Sequence, residues 1–335
     1  MTSNPSSVKQ PTPVDSPGVF FYDYNLQESD QRSEILQGLR KPQKTISAKY
    51  FYDEKGSNLF EAITDLPEYY PTRTEIGLLK KYSQQIIEEA GQNSVLIEYG
   101  SGASTKIRLL LESLKPKAYV PMDISKDFLY ECAIQLRKEY PWLEIHATCL
   151  DFKEQARLPS RINKQAKRIA FFPGSSLGNF SPEEATKFLK GVRETVGDEG
   201  ALLIGIDLDK DVSTLEAAYN DAQGVTALFN LNVLNHINQL GSGSFNPEHF
   251  EHNAFYNQEE QRIEMHLVSQ FDQVASIYGE RISLKAGETI LTEYSHKYRA
   301  DQFLDDVRQA GFLGKHFWTD DKQNFALFWL EADSL

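Results

Sequence analysis

The chain has 335 residues, 40% of them hydrophobic and 25% charged, with a formal net charge of −13. That length holds one large domain or two smaller ones. The acidic balance argues against nucleic acid as a substrate, because phosphate binding needs basic surface. No apolar run approaches the roughly 20 residues of a membrane span, and the N-terminus lacks a charged segment followed by an apolar core. A cytoplasmic protein without a signal peptide is expected, a monomer acting on a small molecule and not at a membrane.

Residues 1–17, rich in Ser, Pro and Thr, read as a disordered tail. Residues 28–45 read as a helix and a basic loop, with Ile35 and Leu36 as apolar anchors. The segment 50–75 packs six aromatics into 26 residues, and Pro67 and Pro71 stiffen its Glu68-Tyr69-Tyr70 centre. It is either a helix edge with ordinary core tyrosines or a lid and pocket wall. Tyrosine suits the second role because it supplies an apolar face and a hydroxyl.

From 76 to about 207 the chain alternates. Strands are expected at 94–98, 118–122, 144–148, 168–173 and 201–206, and helices at 75–90, 105–114, 125–139 and 182–196. This is the pattern of an α/β protein, a parallel sheet with helices on both faces. Each strand ends in polar or glycine-rich residues: Glu98, Asp123, Asp151-Phe152, Gly174-Ser175-Ser176 and Asp207. Ligands of open α/β sheets bind outside such carboxyl ends. Cys132 and Cys149 have no metal-ligand spacing and read as buried thiols, and no metal is expected.

The first of these strands runs into Gly100-Ser101-Gly102 and then a helical pattern from Thr105. Strand, glycine turn and helix form the Rossmann-like way of presenting bare backbone N–H groups to a nucleotide-like ligand. Asp123 closes the next strand, where an acid suits a ribose diol. A dinucleotide turn usually carries a third glycine; here Thr105 and Lys106 follow. The acid two residues before Gly100 fits a cofactor with a positive centre. S-adenosylmethionine (SAM) has both a sulfonium and an α-ammonium group. A tight turn in a phosphate-binding α/β protein, or an NAD-dependent oxidoreductase, is the competing reading.

The loop 171–184 leaves the fourth strand. Its glycines permit close backbone approach to a ligand. Ser181 and Pro182 read as N-cap and N1 of the next helix, and Asn179 can donate to a carboxylate. Beyond Asp207 the alternation breaks. Residues 212–240 read as helices carrying Asn220, Asn230, Asn232, Asn235 and Asn238. Residues 262–270 and 288–298 read as the two strands of a hairpin, 301–310 as a helix and 323–331 as a final strand. In strand 288–298, strict alternation puts Leu291, Glu293, Ser295 and Lys297 on one side and Tyr294 and His296 on the other. A carboxylate and a hydroxyl on one face can accept from and donate to a ring with two nitrogens, such as imidazole. A solvated polar strand face is the plainer alternative. Met265, with Ile263 and Leu267, is either core or a soft wall for a flat ring.

Seven motifs together carry a resemblance: KYFYDEKGSNLFEAIT, LPEYYPTRTE, EYGSGASTK, PGSSLGNFSPEE, AAYNDAQGVTALFNLNVL, RIEMHL and LTEYSHKY. From about residue 30 onward the chain resembles the histidine-specific, SAM-dependent Nα-methyltransferases of ergothioneine biosynthesis. The resemblance implies a Rossmann-like methyltransferase domain, 75–210 plus 299–335. A discontinuous α+β substrate-binding lobe, 18–74 plus 211–298, completes it. It implies three methyl transfers to the α-amine of L-histidine, giving Nα,Nα,Nα-trimethylhistidine (hercynine). By motif, Asn179 and Tyr219 hold the substrate carboxylate. Tyr52 and Tyr69 surround the amine near the Gly174 backbone, and Glu293, Ser295 and Met265 take the imidazole. Gly100, Ser101, Gly102 and Lys106 line the methionine and ribose end of SAM, Asp123 the ribose, and Asp151 with Phe152 the adenine. Another amino acid or biogenic amine as acceptor, or a non-catalytic SAM-binding module, are the alternatives.

Overall fold

A computed structural model describes residues 16–24, 28–102, 105–151, 158–159, 161–163 and 165–333. The chain opens with β1 (Val19–Asp23), α1 (Glu28–Leu39), β2 (Lys44–Thr45), α2 (Glu54–Thr64), α3 (Tyr70–Lys81) and α4 (Ser83–Ala90). Then come β3 (Val95–Tyr99), α5 (Thr105–Leu114), β4 (Ala118–Asp123), α6 (Lys126–Glu139), β5 (Glu144–Cys149), β6 (Arg168–Phe172), α7 (Pro182–Val196) and β7 (Ala201–Asp207). Two helices follow, α8 (Val212–Ala217) and α9 (Val225–Gly241), and five strands, β8 (Phe250–Asn257), β9 (Arg262–Ser269), β10 (Gln273–Ile277), β11 (Glu280–Leu284) and β12 (Thr289–His296). The chain closes with α10 (Ala300–Gln309), β13 (Phe312–Thr319) and β14 (Phe325–Ala332).

Eight strands form one sheet in the order β1-β5-β4-β3-β6-β7-β14-β13. The pairs from β1 to β7 are parallel, and β14 is antiparallel to both β7 and β13. Every residue of β3 and β7 is buried. That is why they read as continuous apolar runs: helices cover both sheet faces. Period 2 divides the strand between two cores. Leu96 packs with Ile107, Leu110 and Leu111 of α5, whereas Val95 and Ile97 pack with Phe188 and Val192 of α7. The start of α7 is fixed locally. The Ser181 hydroxyl accepts from Glu184 N at 3.2 Å, and the Glu184 carboxylate accepts from Ser181 N at 2.9 Å. This reciprocal cap satisfies two helix-end donors.

The strand order reverses at β3. The chain steps outward through β4 and β5, then returns to place β6 on the other side. This switch point is where an open α/β sheet leaves a crevice for a ligand. A second sheet, β2-β12-β9-β8, has its own core. Phe229, Val233 and Ile237 of α9 and Ile63 of α2 pack there against Met265 and Leu267 of β9. The asparagines of α9 tie this layer together. Asn230 donates to His266 O at 3.1 Å, and Asn232 to Asp53 Oδ1 at 2.8 Å.

Several details differ from the sequence reading. Residues 19–23 pair with β5 at the edge of the large sheet, so the expected lobe segment from residue 18 begins in the other sheet. Helix α3 runs through the expected boundary at 74–75. The strands at 262–270 and 288–298 do pair, but the hairpin β10–β11 sits between them in sequence, and β8 and β13 were not anticipated. The expected tail lies almost wholly outside the described residues.

Candidate active site

A cavity of about 520 Å³ lies over the carboxyl ends of β3, β4 and β6. Gly100, Ser101, Gly102, Lys106, Asp123 and Asp151 all line it; Phe152 lies outside the described residues. Gly100 and Gly102 have φ of 68° and 47°, the left-handed region that favours glycine. Among the described residues of the turn, the N–H groups of Gly100, Ser101 and Gly102 are not bare as expected. Gly100 N and Ser101 N donate to Met122 O at 2.8 and 3.1 Å, and Gly102 N donates to Asp123 Oδ2 at 2.9 Å. The glycines therefore bind the turn to the end of β4 and fix Asp123, whose Oδ1 also accepts from Ser125 N at 3.0 Å. Burial pushes the Asp123 carboxyl up, and these backbone donors push it down. Its remaining lone pairs suit two adjacent hydroxyls.

Three further acids shape this cavity. Glu98 is buried and accepts from the Tyr119 hydroxyl. Burial pushes its carboxyl up to about 8, against the lowering effect of Tyr119 and of the Lys106 charge. Asp151 is held by Lys49 at 3.1 Å. Glu75, fully buried on α3, takes Lys106 Nζ at 2.5 Å and also accepts from Gly174 N at 3.0 Å. It thus joins the start of α5 to the end of β6. The Ser101 hydroxyl is buried with no hydrogen-bond partner among the described residues. A buried orphan of that kind is accounted for by a polar ligand, so the residues present fit SAM.

A narrower recess opens from this cavity, sharing Tyr52, Phe60, Tyr69, Gly174, Ser176 and Asn179 as walls. It brings together all eight residues expected at the substrate site: Tyr52, Tyr69, Gly174, Asn179, Tyr219, Met265, Glu293 and Ser295. The tyrosines meet edge to face, Tyr69 with Tyr219 at 6.5 Å between centroids and Tyr52 with Phe60 at 5.9 Å. Burial holds the hydroxyls of Tyr52 and Tyr69 well above the ordinary tyrosine range. The segment 50–75 is therefore both things the sequence left open, a pair of helices and a pocket wall.

The strand face is re-aimed by a bulge. Glu293 pairs with Met265 and Ser295 with Ile263, but Leu291 pairs with His266, because the register shifts between Leu291 and Glu293. Leu291 therefore faces away from Glu293, contrary to the alternation reading. Thr292 absorbs the irregularity, donating to Asn230 Oδ1 at 2.7 Å and approaching Met265 O at 3.0 Å. Gly178 brings the loop carrying Asn179 against this strand. A Cβ there would lie 2.8 Å from His296 O and 3.3 Å from Ser295 Oγ. The side chains of Glu293 and Asn179 make no hydrogen bond among the described residues. Burial pushes the Glu293 carboxyl up to about 7, partly offset by the Lys297 charge.

Lys297, Asp207 and Glu75 were not assigned to the site from sequence. Lys297 was visible on the face of Glu293 and Ser295, and Asp207 as a strand end. Glu75 had no signal beyond an acid on a helix. Asp207 accepts from Tyr70 at 2.7 Å, from Lys210 at 2.7 Å and from Lys297 at 2.8 Å.

The family model described as "Histidine-specific methyltransferase, SAM-dependent" matches residues 31–332. The chain belongs to this family. It is 40% identical over 303 residues to a histidine N-alpha-methyltransferase of Mycolicibacterium smegmatis, covering 88% of this chain and 93% of that one. It is 33% identical over 252 residues to ergothioneine biosynthesis protein 1 of Neurospora crassa, covering 68% of this chain and 28% of the relative. A solved SAM-dependent methyltransferase from Clostridium acetobutylicum shares the fold, with a TM-score of 0.51 at 10% identity over 83% of this chain and 99% of that one. The large, mostly parallel sheet is the Rossmann-like fold of SAM-dependent methyltransferases expected from sequence.

Proposed function

We infer that this protein transfers methyl groups from SAM to the α-amine of L-histidine. The product of three transfers is hercynine, a precursor in ergothioneine biosynthesis. The observation that carries the reading is that Glu293, its cross-strand neighbour Met265, and Ser295 line one recess that shares walls with the larger cavity. An acceptor and a hydroxyl on one strand, with a thioether beside them, match a flat ring with one N–H and one bare nitrogen.

Asp123, Ser101, Lys106 and Asp151 would hold SAM, which supplies an electrophilic methyl on a sulfonium. Asn179 and Tyr219 hold the substrate carboxylate. Tyr52 and Tyr69 stand at the amine, at the mouth shared by the two cavities. Their raised hydroxyls stay protonated at neutral pH and orient the neutral amine; each transfer leaves S-adenosylhomocysteine and an N-methylated ammonium, which gives its proton to bulk solvent when S-adenosylhomocysteine is exchanged for SAM. The walls of Tyr52, Phe60 and Tyr69 exclude water. Aligning two bound reactants contributes about 7–11 kcal/mol of the acceleration. A lobe of 18–74 plus 211–298, less the edge strand β1, that supplies most of the acceptor site, with Gly174 and Asn179 added by the methyltransferase domain, fits this division of labour.

Incubation with SAM and each of the twenty amino acids tests the reading by mass spectrometry. Histidine carrying one, two and three added methyl groups is expected. No methylated histidine, or preferential methylation of another amino acid, would refute it.

A further inference from the structure

The Lys297 ammonium sits at the back of the recess with its side chain 1% exposed. It donates to Asp207 Oδ2 at 2.8 Å, to Ser295 Oγ at 2.9 Å and to the Tyr219 hydroxyl at 3.2 Å. An ammonium has three N–H donors and no acceptor, so these contacts use it fully. Both hydroxyls must therefore receive a hydrogen bond from behind. A hydroxyl has a single proton, and here that proton is turned away from Lys297. Ser295 and Tyr219 both line the recess.

We propose that Lys297 is a positioning residue that fixes the hydrogen-bond polarity of the acceptor site, making Ser295 and Tyr219 donors toward the substrate. The proposal rests on the reading of L-histidine as that substrate. Ser295 then meets the bare ring nitrogen and Tyr219 the carboxylate. Glu293, the acceptor beside them, takes the ring N–H. A single neutral imidazole tautomer satisfies that arrangement. Were Lys297 absent, each hydroxyl could turn and offer a lone pair instead, and the site would lose its direction. Asp207 keeps the ammonium neutralised in place, and is itself held by Tyr70 and Lys210. Without Lys297, therefore, Asp207 still has two partners, and the cluster is not stripped of its charge balance.

The test is a thermodynamic cycle on the full chain. Histidine binding is measured by calorimetry in the presence of S-adenosylhomocysteine, which prevents turnover. Lys297→Met is expected to weaken histidine by about tenfold or more, with S-adenosylhomocysteine affinity within about twofold. Steady-state rates should show a raised KM and a kcat at saturating histidine within a few-fold of wild type. At pH 9, where Glu293, whose carboxyl the Lys297 charge helps keep ionised, stays charged in every variant, the same substitution in the Ser295→Ala/Tyr219→Phe background is expected to add less than about threefold, because the hydroxyls it acts through are gone. A full penalty recurring in that background would show that Lys297 acts otherwise, through bulk charge or folding, and would overturn the proposal. Should Lys297→Met fail to bind S-adenosylhomocysteine, Lys297→Gln replaces it in the cycle. Its amide oxygen lets a hydroxyl turn backward, so histidine should again weaken, and wild-type affinity would overturn the proposal. Wild-type protein that fails to bind histidine would instead remove the substrate reading, and this proposal with it.

Discussion

Glu293→Gln should make the protein more stable and less able to bind its acceptor. Burial raises the Glu293 carboxyl to about 7 from an ordinary 4.5. The folded state therefore holds an extra proton between those values, and stability falls as pH rises through that window, with the deficit complete above it. At about 1.4 kcal/mol per pH unit, the gap corresponds to about 3 kcal/mol. Glutamine has nothing to ionise and keeps the shape. The variant should melt higher than wild type at pH 8, and the difference should shrink towards pH 5, where the wild-type carboxyl is protonated. Function should move the other way. A ring N–H bonded to a charged acceptor is worth about 1.5–3 kcal/mol, so histidine affinity should drop by about tenfold or more while SAM affinity holds. In wild type, the same ionisation should make histidine affinity fall as pH drops below about 7. Thermal melts at the two pH values, with calorimetric titration of histidine, check both arms. A variant that is less stable at pH 8, or that keeps wild-type histidine affinity, would refute the reasoning.

Asp123→Ala removes a charged acceptor held towards the cavity by Gly102 and Ser125; SAM binding should weaken by about tenfold or more, and an unchanged calorimetric Kd would take Asp123 out of the site. Tyr69→Phe keeps the ring contact with Tyr219 and deletes only the hydroxyl, so SAM binding should persist while methyl transfer slows. Wild-type rates for all three transfers would make that hydroxyl dispensable. Gly178→Ala places a Cβ 2.8 Å from the His296 carbonyl and should push the Asn179 loop off β12, raising KM for histidine with little change in SAM affinity. An unaltered KM would mean the loop's seating does not set the recess.

Local chemistry made much of the fold legible. Helix α7 begins where Ser181 and Pro182 said it would, because a capping box is written within four residues. The buried strands announced themselves as apolar runs because both faces of the sheet are covered. What sequence missed depended on partners far along the chain. Nothing within VFFYD says that it will lie beside residues 145–149. The bulge at Thr292 is invisible to a period-2 reading, since the threonine hydroxyl bonds there to Asn230 of α9, far away in sequence. Glu75 reads as one more helical acid until Lys106 and Gly174 arrive to share it. The acceptor residues were placed by family motif, and the structure brings them to one recess. Lys297 was in view on the right face but had no assigned part until its three partners could be counted.

The position of β14 has a consequence for how the chain matures during synthesis. It lies between β7 and β13, antiparallel to both, and all seven residues of β7 are buried. Yet residues 325–332 are translated more than a hundred positions after residue 207. At ribosomal speeds of about 5–20 residues per second, the strand that covers β7 is made roughly ten seconds after it. An unpaired sheet edge templates pairing with other chains. Closure of that edge is thus among the late events of folding, and a chain truncated before residue 325 leaves β7 without the strand that pairs with it here.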